Sequence, residues 1–341
     1  MEFFTKIDIP RPGFTIDYTK KLAFFGSCFA DNISAQFSSR KFQVLSNPFG
    51  TVYNPVSLAA QVKAVAEGKV FGEEDVFQDG CWNRGASAAD AGTAGVGACG
   101  LWHCWDAHGS LSGKTREECI DKLNTAAAMA RDFLQKADVV FITLGTAFVY
   151  YLKDSGKPVS NCHRQDPKLF TRRMISVDEA AEALAGIVND LHSINSKLHI
   201  VFTVSPLRHM ADGAHQNSLS KATLMLAINE VAKRETNIAA TTYFPSYEIV
   251  MDELRDYRFY ADDMVHLSKT AEEYIFERMV DTYCSDATRE NIARVEKFLK
   301  MANHRIVDAT SPATAEFQKK LAAQAASLEK MIPGLVLNTG N

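Results

Sequence analysis

No stretch of this chain is apolar for the roughly 18 consecutive residues that a membrane span requires. Neither sign of charge dominates. Lys and Arg number 37, Asp and Glu 41, and they are interspersed without a long block of one kind. That excludes a nucleic-acid binder working by neutralising phosphates. Cysteine is scarce and odd in number, seven in 341 residues, which argues against a fully paired disulfide framework and for reduced thiols. The opening Met1-Glu2-Phe3-Phe4-Thr5-Lys6-Ile7-Asp8 lacks the basic cluster and apolar stretch of a signal peptide, so a cytoplasmic location is expected. No HExxH and no CxxC pair occurs, so neither a zinc site nor any other cofactor is expected. A GxSxG nucleophile elbow is absent too. There is no internal repeat at a fixed period.

What is present is a well-stocked core, 46% hydrophobic residues, enough to exclude a disordered chain and to fill one large domain or two ordinary ones. Lys21-Leu22-Ala23-Phe24-Phe25 is a short apolar run ending at Gly26, the pattern of a buried strand. Phe29, Ile33 and Phe37 then fall on one helical face over 28–39. Residues 45–56 read as loop, followed by a helix over 57–66. Further helices are expected at 115–136, 176–193 and 217–235. Strands follow them at 138–144, 198–204 and, weakly, near 237–243. Such alternation predicts a parallel sheet covered on both faces, with ligands beyond the carboxyl ends of the strands. Residues 83–100 are Ala- and Gly-rich and read as a flexible insert, and 286–331 as a helical appendage.

Two motif matches are discounted. Gly95-Val96-Gly97-Ala98-Cys99-Gly100 fits GxGxxG, but no strand precedes it and no helix opens at it. Gly109-Ser110-Leu111-Ser112-Gly113-Lys114-Thr115 is one residue short of a P-loop. It reads instead as a turn, with Thr115 and Glu118 in capping-box spacing.

Ser27 stands between a strand and a helix N-terminus. Unpaired backbone N–H groups and the positive end of the helix dipole meet there. It reads either as a plain N-cap or as a nucleophile whose oxyanion is stabilised on the spot. Near the other end of the α/β region, Phe259-Tyr260-Ala261-Asp262-Asp263-Met264-Val265-His266-Leu267-Ser268 enters a helix over 269–282. Asp263 and His266, three apart in an irregular segment, can present an imidazole with the carboxylate that orients it. The alternative is a surface loop ending in a capping Ser268. Cys28 reads as a small core residue on the first helical turn rather than a redox thiol.

A serine after the first strand and Asp-x-x-His near the end is the chain order of SGNH hydrolases. Gly26-Ser27-Cys28-Phe29-Ala30 spells the motif of the bacterial GSCFA family of SGNH-like proteins, which the chain resembles over roughly 20–285. Other segments resemble the same family: Asn47-Pro48-Phe49-Gly50-Thr51-Val52-Tyr53-Asn54-Pro55, Trp105-Asp106 with His108, and Thr143-Leu144-Gly145-Thr146-Ala147. So do Asn161-Cys162-His163, Val204-Ser205-Pro206-Leu207-Arg208-His209 and Asp263-Met264-Val265-His266.

The resemblance implies a three-layer α/β/α, flavodoxin-like fold, expected as a domain over 1–285; 286–341, outside the family motifs, is expected from its helical pattern to be an extension packed on it. It implies Ser27 as nucleophile, His266 as base and Asp263 as its partner. SGNH oxyanion holes use the serine N–H, a glycine N–H after the second strand and an Asn amide after the third. Gly50 fits the second role. Gly145-Thr146-Ala147 departs from the third, with Thr146 or Asn161 as replacement donors.

Asn54, Asn161 and His163 are expected near the ligand. Arg208 is expected either to bind a substrate carboxylate or phosphate or to form a structural salt bridge. Trp105, Asp106 and His108 either line an acyl or carbohydrate pocket or are a half-buried aromatic with a capping Asp. Cys162-His163 as a thiol nucleophile is disfavoured, because sequence neighbours usually point apart. Reduced Cys28 and Cys162 are expected to keep the site open.

The function implied is hydrolysis of a small-molecule or carbohydrate ester, an O-acyl esterase. Acyl transfer with the same three residues and a non-catalytic binding protein on a degraded scaffold are the alternatives. No nucleic-acid or membrane partner is expected.

Overall fold

The computed structural model describes residues 5–80, 100–234, 241–303 and 311–337. The insert expected over 83–100 therefore lies almost wholly outside the described residues. Five strands form the central sheet: β1 (Lys21–Gly26), β2 (Gln43–Ser46), β3 (Val139–Leu144), β4 (His199–Val204) and β5 (Thr241–Tyr243). All pair in parallel, in the spatial order β5-β4-β3-β1-β2. Read in chain order this is 2-1-3-4-5, the flavodoxin-like doubly wound arrangement, whose order reverses between β1 and β3.

The alternation of side chains along each strand builds two cores. Ala23, Phe25, Val140, Ile142, Leu144, Ile200 and Phe202 face one layer. That layer is α2 (Pro55–Ala66), α3 (Arg116–Leu134), α4 (Val177–Ile194) and α5 (Ala214–Arg234). Leu22, Phe24, Val139, Phe141 and Val201 face the other. There α1 (Cys28–Ser39), α6 (Lys269–Tyr283) and α7 (Asp286–Ala302) cover them. Phe24, Phe37, Phe141 and Phe276 make a ring cluster with centroids 4.8–6.4 Å apart, within the range of favourable aromatic pairs. The protein is thus an α/β/α sandwich. Helix α7 buries Ile292, Val295 and Phe298 in the same cluster as α1, and α8 (Pro312–Met331) follows it. Among the described residues, no helix is long and apolar enough to cross a membrane.

Two elements differ from the sequence reading. Strand β2 occupies a stretch read partly as loop. Its Gln-Val-Leu-Ser sequence sits at the sheet edge, where only Leu45 is fully buried, so no apolar run marks it. A three-stranded antiparallel sheet, Phe148–Leu152, Pro158–Val159 and Phe170–Met174, also follows β3 directly. Its strands are two to five residues long and carry little periodicity.

Candidate active site

Gly26 ends β1 with φ +128°, and a Cβ there would lie 2.0 Å from the Thr143 carbonyl oxygen. Only glycine lets β1 press this closely on β3, at the reversal of strand order. The Gly26 N–H donates to Asn47 Oδ1 (2.8 Å), and Asn47 Nδ2 donates to Asp31 Oδ1 (2.8 Å), which fixes the loop after β2 against α1. Ser27 follows as the residue before α1, 1% exposed.

The capping alternative for Ser27 fails on geometry. Asn54, Thr115, Ser176, Ser268, Ser285 and Ser311 each accept a backbone N–H at the start of their helices. Ser27 does not, and its buried Oγ has no hydrogen-bond partner. A buried hydroxyl without a protein partner is free to bond a water, a ligand or a reacting group, a state it shares with the hydroxyls of Tyr18, Thr241 and Thr242.

His266 and Asp263 meet. Asp263 Oδ2 lies 2.5 Å from His266 Nδ1, and Oδ1 accepts the N–H groups of Val265 (3.0 Å) and His266 (2.9 Å). Met264, at φ +57°, closes the turn. The imidazole bond, then the two backbone bonds, hold the Asp263 carboxyl at about 2, so it stays ionised across the neutral range. Both side chains are more than half exposed, 58% for His266 and 51% for Asp263. No hydrogen bond links His266 to Ser27 in this conformation. Helix α6, which the loop enters, packs on α1: Asn32, one turn into α1, donates to Glu272 Oε1 (2.5 Å).

The expected backbone oxyanion donors are occupied. Ser27 N–H donates to Thr143 C=O (3.1 Å) and Gly50 N–H to Asn47 C=O (2.7 Å). Thr146 N–H, like that of Gly145, donates to Tyr53 C=O (2.9 and 2.8 Å). The Thr146 hydroxyl accepts the Phe148 N–H (3.1 Å) and bonds Ser220 Oγ (3.0 Å). Asn161 Oδ1 accepts the His163 N–H (2.7 Å), an Asx turn.

Several other named residues have local partners. Asn54 caps α2 through the Ser57 N–H (2.8 Å). Asp106 pairs with Lys157 (2.8 Å). His108 accepts the Ser110 N–H (3.2 Å), and its Cβ lies 2.2 Å from where a Gly50 Cβ would stand, so Gly50, at φ +77°, is kept by close packing. His163 is buried, 4.5 Å from His103 ring to ring, with Nε2 on Cys104 C=O (2.7 Å). Burial, then His103, pushes it down to about 4, so it is neutral. Arg208 forms no salt bridge among the described residues and donates to Met251 Sδ (3.1 Å), a weak acceptor. The Cys28 thiol is pushed up by burial and by Asp31, which outweighs the helix N-terminus, and burial raises Cys162 to about 11.

Residues missed by sequence reasoning crowd the same end of the sheet. A Cβ on Gly145 would meet Tyr53 Cδ1 at 3.2 Å and His209 Nε2 at 3.3 Å. Lys221 of α5 donates to Gly145 C=O (2.6 Å) and Ser205 C=O (2.7 Å) and is 1% exposed. The signal for it was its place on the apolar face of α5, with Leu224, Ile228 and Val231. Among the described residues no group of three or more His, Cys, Asp or Glu is placed to hold a metal.

Two cavities bear on the site. One of 1130 Å³ opens at the amino ends of the strands, lined by Phe14, Lys20, Asp138, Asn195 and His199. The other, of 560 Å³, is lined by Arg208, Met251, Leu254, Tyr260, Asp263 and Met264. Only the second adjoins the chemistry, and ligands in such folds bind at the carboxyl ends.

Comparison with known proteins gives one family and distant structures. A carbohydrate esterase of family 3 from Talaromyces cellulolyticus is similar at 10% identity and a TM-score of 0.28, over 49% of this chain and 64% of that one. An acetyl xylan esterase (Est2A) from the rumen bacterium Butyrivibrio proteoclasticus is similar at 11% identity and a TM-score of 0.35, over 81% of this chain and 64% of that one. The chain thus spans under two thirds of each of those structures. No curated protein matches the chain. The model of the GSCFA family matches residues 21–279, from the first strand into α6, and the chain belongs to that family.

Proposed function

We propose that the protein is a serine-type ester hydrolase acting on the O-acyl group of a small molecule or carbohydrate. The observation that carries this reading is the buried, uncapped, unpartnered Ser27 Oγ at the start of α1, on the sheet end that also holds the Asp263–His266 pair. Ser27 Oγ attacks the ester carbonyl carbon while His266 Nε2 takes its proton. The carbonyl π pair moves to oxygen, then returns as the C–O bond to the alcohol breaks, and His266 gives the alcohol the proton. Water repeats the sequence on the acyl-serine. Catalytic hydrogen bonds that are open without substrate commonly tighten when it binds, so the open Ser27–His266 gap is compatible with this role. Arg208, in the 560 Å³ cavity beside Asp263, is the proposed contact for a polar or anionic part of the substrate.

The test is Ser27→Ala against wild type, on short p-nitrophenyl esters and with a fluorophosphonate probe. The expected outcome is loss of labelling and a fall in turnover of at least about 10³-fold, since loss of a nucleophile in such sites costs more than that. Unchanged turnover removes Ser27 from the mechanism. A second reading, a binding protein on the same scaffold, draws on the occupied N–H groups of Ser27, Gly50 and Thr146. It requires that wild type neither labels nor hydrolyses.

A further inference from the structure

The carboxyl end of the sheet contains a cation that the Ser27, His266 and Asp263 chemistry does not use. Lys221 lies on the buried face of α5, and its ammonium sits under the ends of two neighbouring strands. It donates to the carbonyls of Gly145, directly after β3, and Ser205, directly after β4. Ser27 follows β1, which is the next strand along. One ammonium therefore ties two of the three strand ends that frame the site.

Its charge is not balanced. Arg40 and Arg278, the other cations buried among the described residues, each bond a carboxylate. Lys221 bonds none among the described residues. The titratable groups facing it are Cys28 of α1 and Arg208 and His209 after β4, and of these Cys28 and His209 are neutral at pH 7. Burial and then Arg208 lower its pKa to about 7, with Cys28 opposing. Lys221 in turn is, after burial, the largest cause lowering His209, to about 4. Lys221 acts on Cys28, the residue next to Ser27 in the chain. The N–H groups expected to stabilise an oxyanion there are occupied by Thr143, Asn47 and Tyr53 carbonyls.

We propose that Lys221 is a positioning residue of the Ser27 site: it fixes the ends of β3 and β4 and supplies, through space, positive charge that stabilises the anion formed when Ser27 attacks. An uncompensated charge in a dry site acts over several ångströms because little water screens it. This rests on the Ser27 hydrolase reading.

The experiment measures the rate of fluorophosphonate labelling at Ser27 from pH 5.5 to 9.5 in wild type, Lys221→Met and Lys221→Arg. In labelling, Ser27 Oγ bonds to phosphorus, fluoride leaves with its electron pair and the Oγ proton passes to His266. Loss of a direct oxyanion donor costs about 10²–10³-fold, so loss of a charge that acts at a distance is expected to cost at least about tenfold in Lys221→Met. Wild type is expected to lose rate on the alkaline side, from about pH 7 upward, as Lys221 is deprotonated. Lys221→Arg, which stays charged, is expected to abolish that fall. A merely structural lysine would not move the pH profile. A loss under tenfold in a folded Lys221→Met overturns the proposal. If Lys221→Met does not fold, a wild-type rate that stays flat from pH 7 to 9.5 overturns it. Wild type that does not label at all overturns the hydrolase reading and this inference together, an outcome distinct from labelling that ignores Lys221.

Discussion

The helical layer of α1, α6 and α7 and the carboxyl end of the sheet both bury cations, and they do so in opposite ways. In the first, the cations are guanidiniums in closed networks. Arg278 donates to Glu253 Oε1 (3.1 Å), and Glu253 also accepts the Ile7 N–H (2.6 Å) and the Tyr274 hydroxyl (2.6 Å). Arg40 bonds Glu296 (2.6 Å) and Glu273 and lies 4.1 Å over the Phe276 ring. A planar fork with several fixed donors suits such sites, where charge is matched in place. In the second region the cation is an ammonium held only by dipoles. The contrast separates charge used to lock helices together from charge left available to a reaction.

Removing Arg278 should break the first kind of site most severely. Glu253 has no exposed side-chain surface, whereas Arg278 has 9%. Arg278→Met leaves that carboxylate buried with two neutral donors, the Ile7 N–H and the Tyr274 hydroxyl, and removes the guanidinium's bond to the Ile7 carbonyl. Breaking a buried pair by deleting one partner costs about 3–5 kcal/mol. Urea unfolding at neutral pH should show a loss of that size. A loss under about 1 kcal/mol would mean that Glu253 rehydrates freely, and the contrast between the regions would collapse.

Much of this arrangement was legible in the sequence and some was not, for physical reasons. The buried strands announce themselves because Leu22-Ala23-Phe24-Phe25 and Val139-Val140-Phe141-Ile142 face a core on both sides. The Asp263–His266 pair was legible because it is local, closed by backbone bonds within three residues. The state of the oxyanion donors was not. The partner of the Thr146 N–H is Tyr53, far along the chain, and only the fold brings the two together. Ser27 as cap or nucleophile was undecidable from sequence, since both use the same position. In the structure its Oγ makes no capping bond. Lys221 was readable only as an odd member of an apolar helix face.

The second region is sharpened by pH. Lys221 in the folded protein titrates near 7, far below an unfolded lysine. Between about pH 7 and 10.5 the unfolded chain therefore binds more protons than the native one, so this residue makes stability rise with pH. Below pH 7 both states carry the charge and the contribution is flat. Lys221→Met lacks the slope. The stability difference, wild type minus variant, should rise by on the order of a few kcal/mol across that window. Guanidinium unfolding at pH 6.5, 8 and 9.5 checks it. A difference that does not change with pH would show that Lys221 is effectively solvated.

Arg40 should give the smallest effect, and it tests whether burial of the cation alone decides the cost. Its side chain is only 10% exposed, close to Arg278. Its partners differ, however: Glu273 is 41% and Glu296 35% exposed, so both can be rehydrated when the guanidinium is lost. Arg40→Met should also keep apolar contact with Phe276, replacing a cation–π contact worth about 0.5–2 kcal/mol. The expected loss is therefore about 1–2 kcal/mol, below that of Arg278→Met, because surface-facing carboxylates recover most of their hydration. The two variants measured side by side by urea unfolding decide the point. If Arg40→Met costs as much as Arg278→Met, the exposure of the carboxylate is irrelevant. Burial of the cation then governs, and the same rule would have to apply to Lys221.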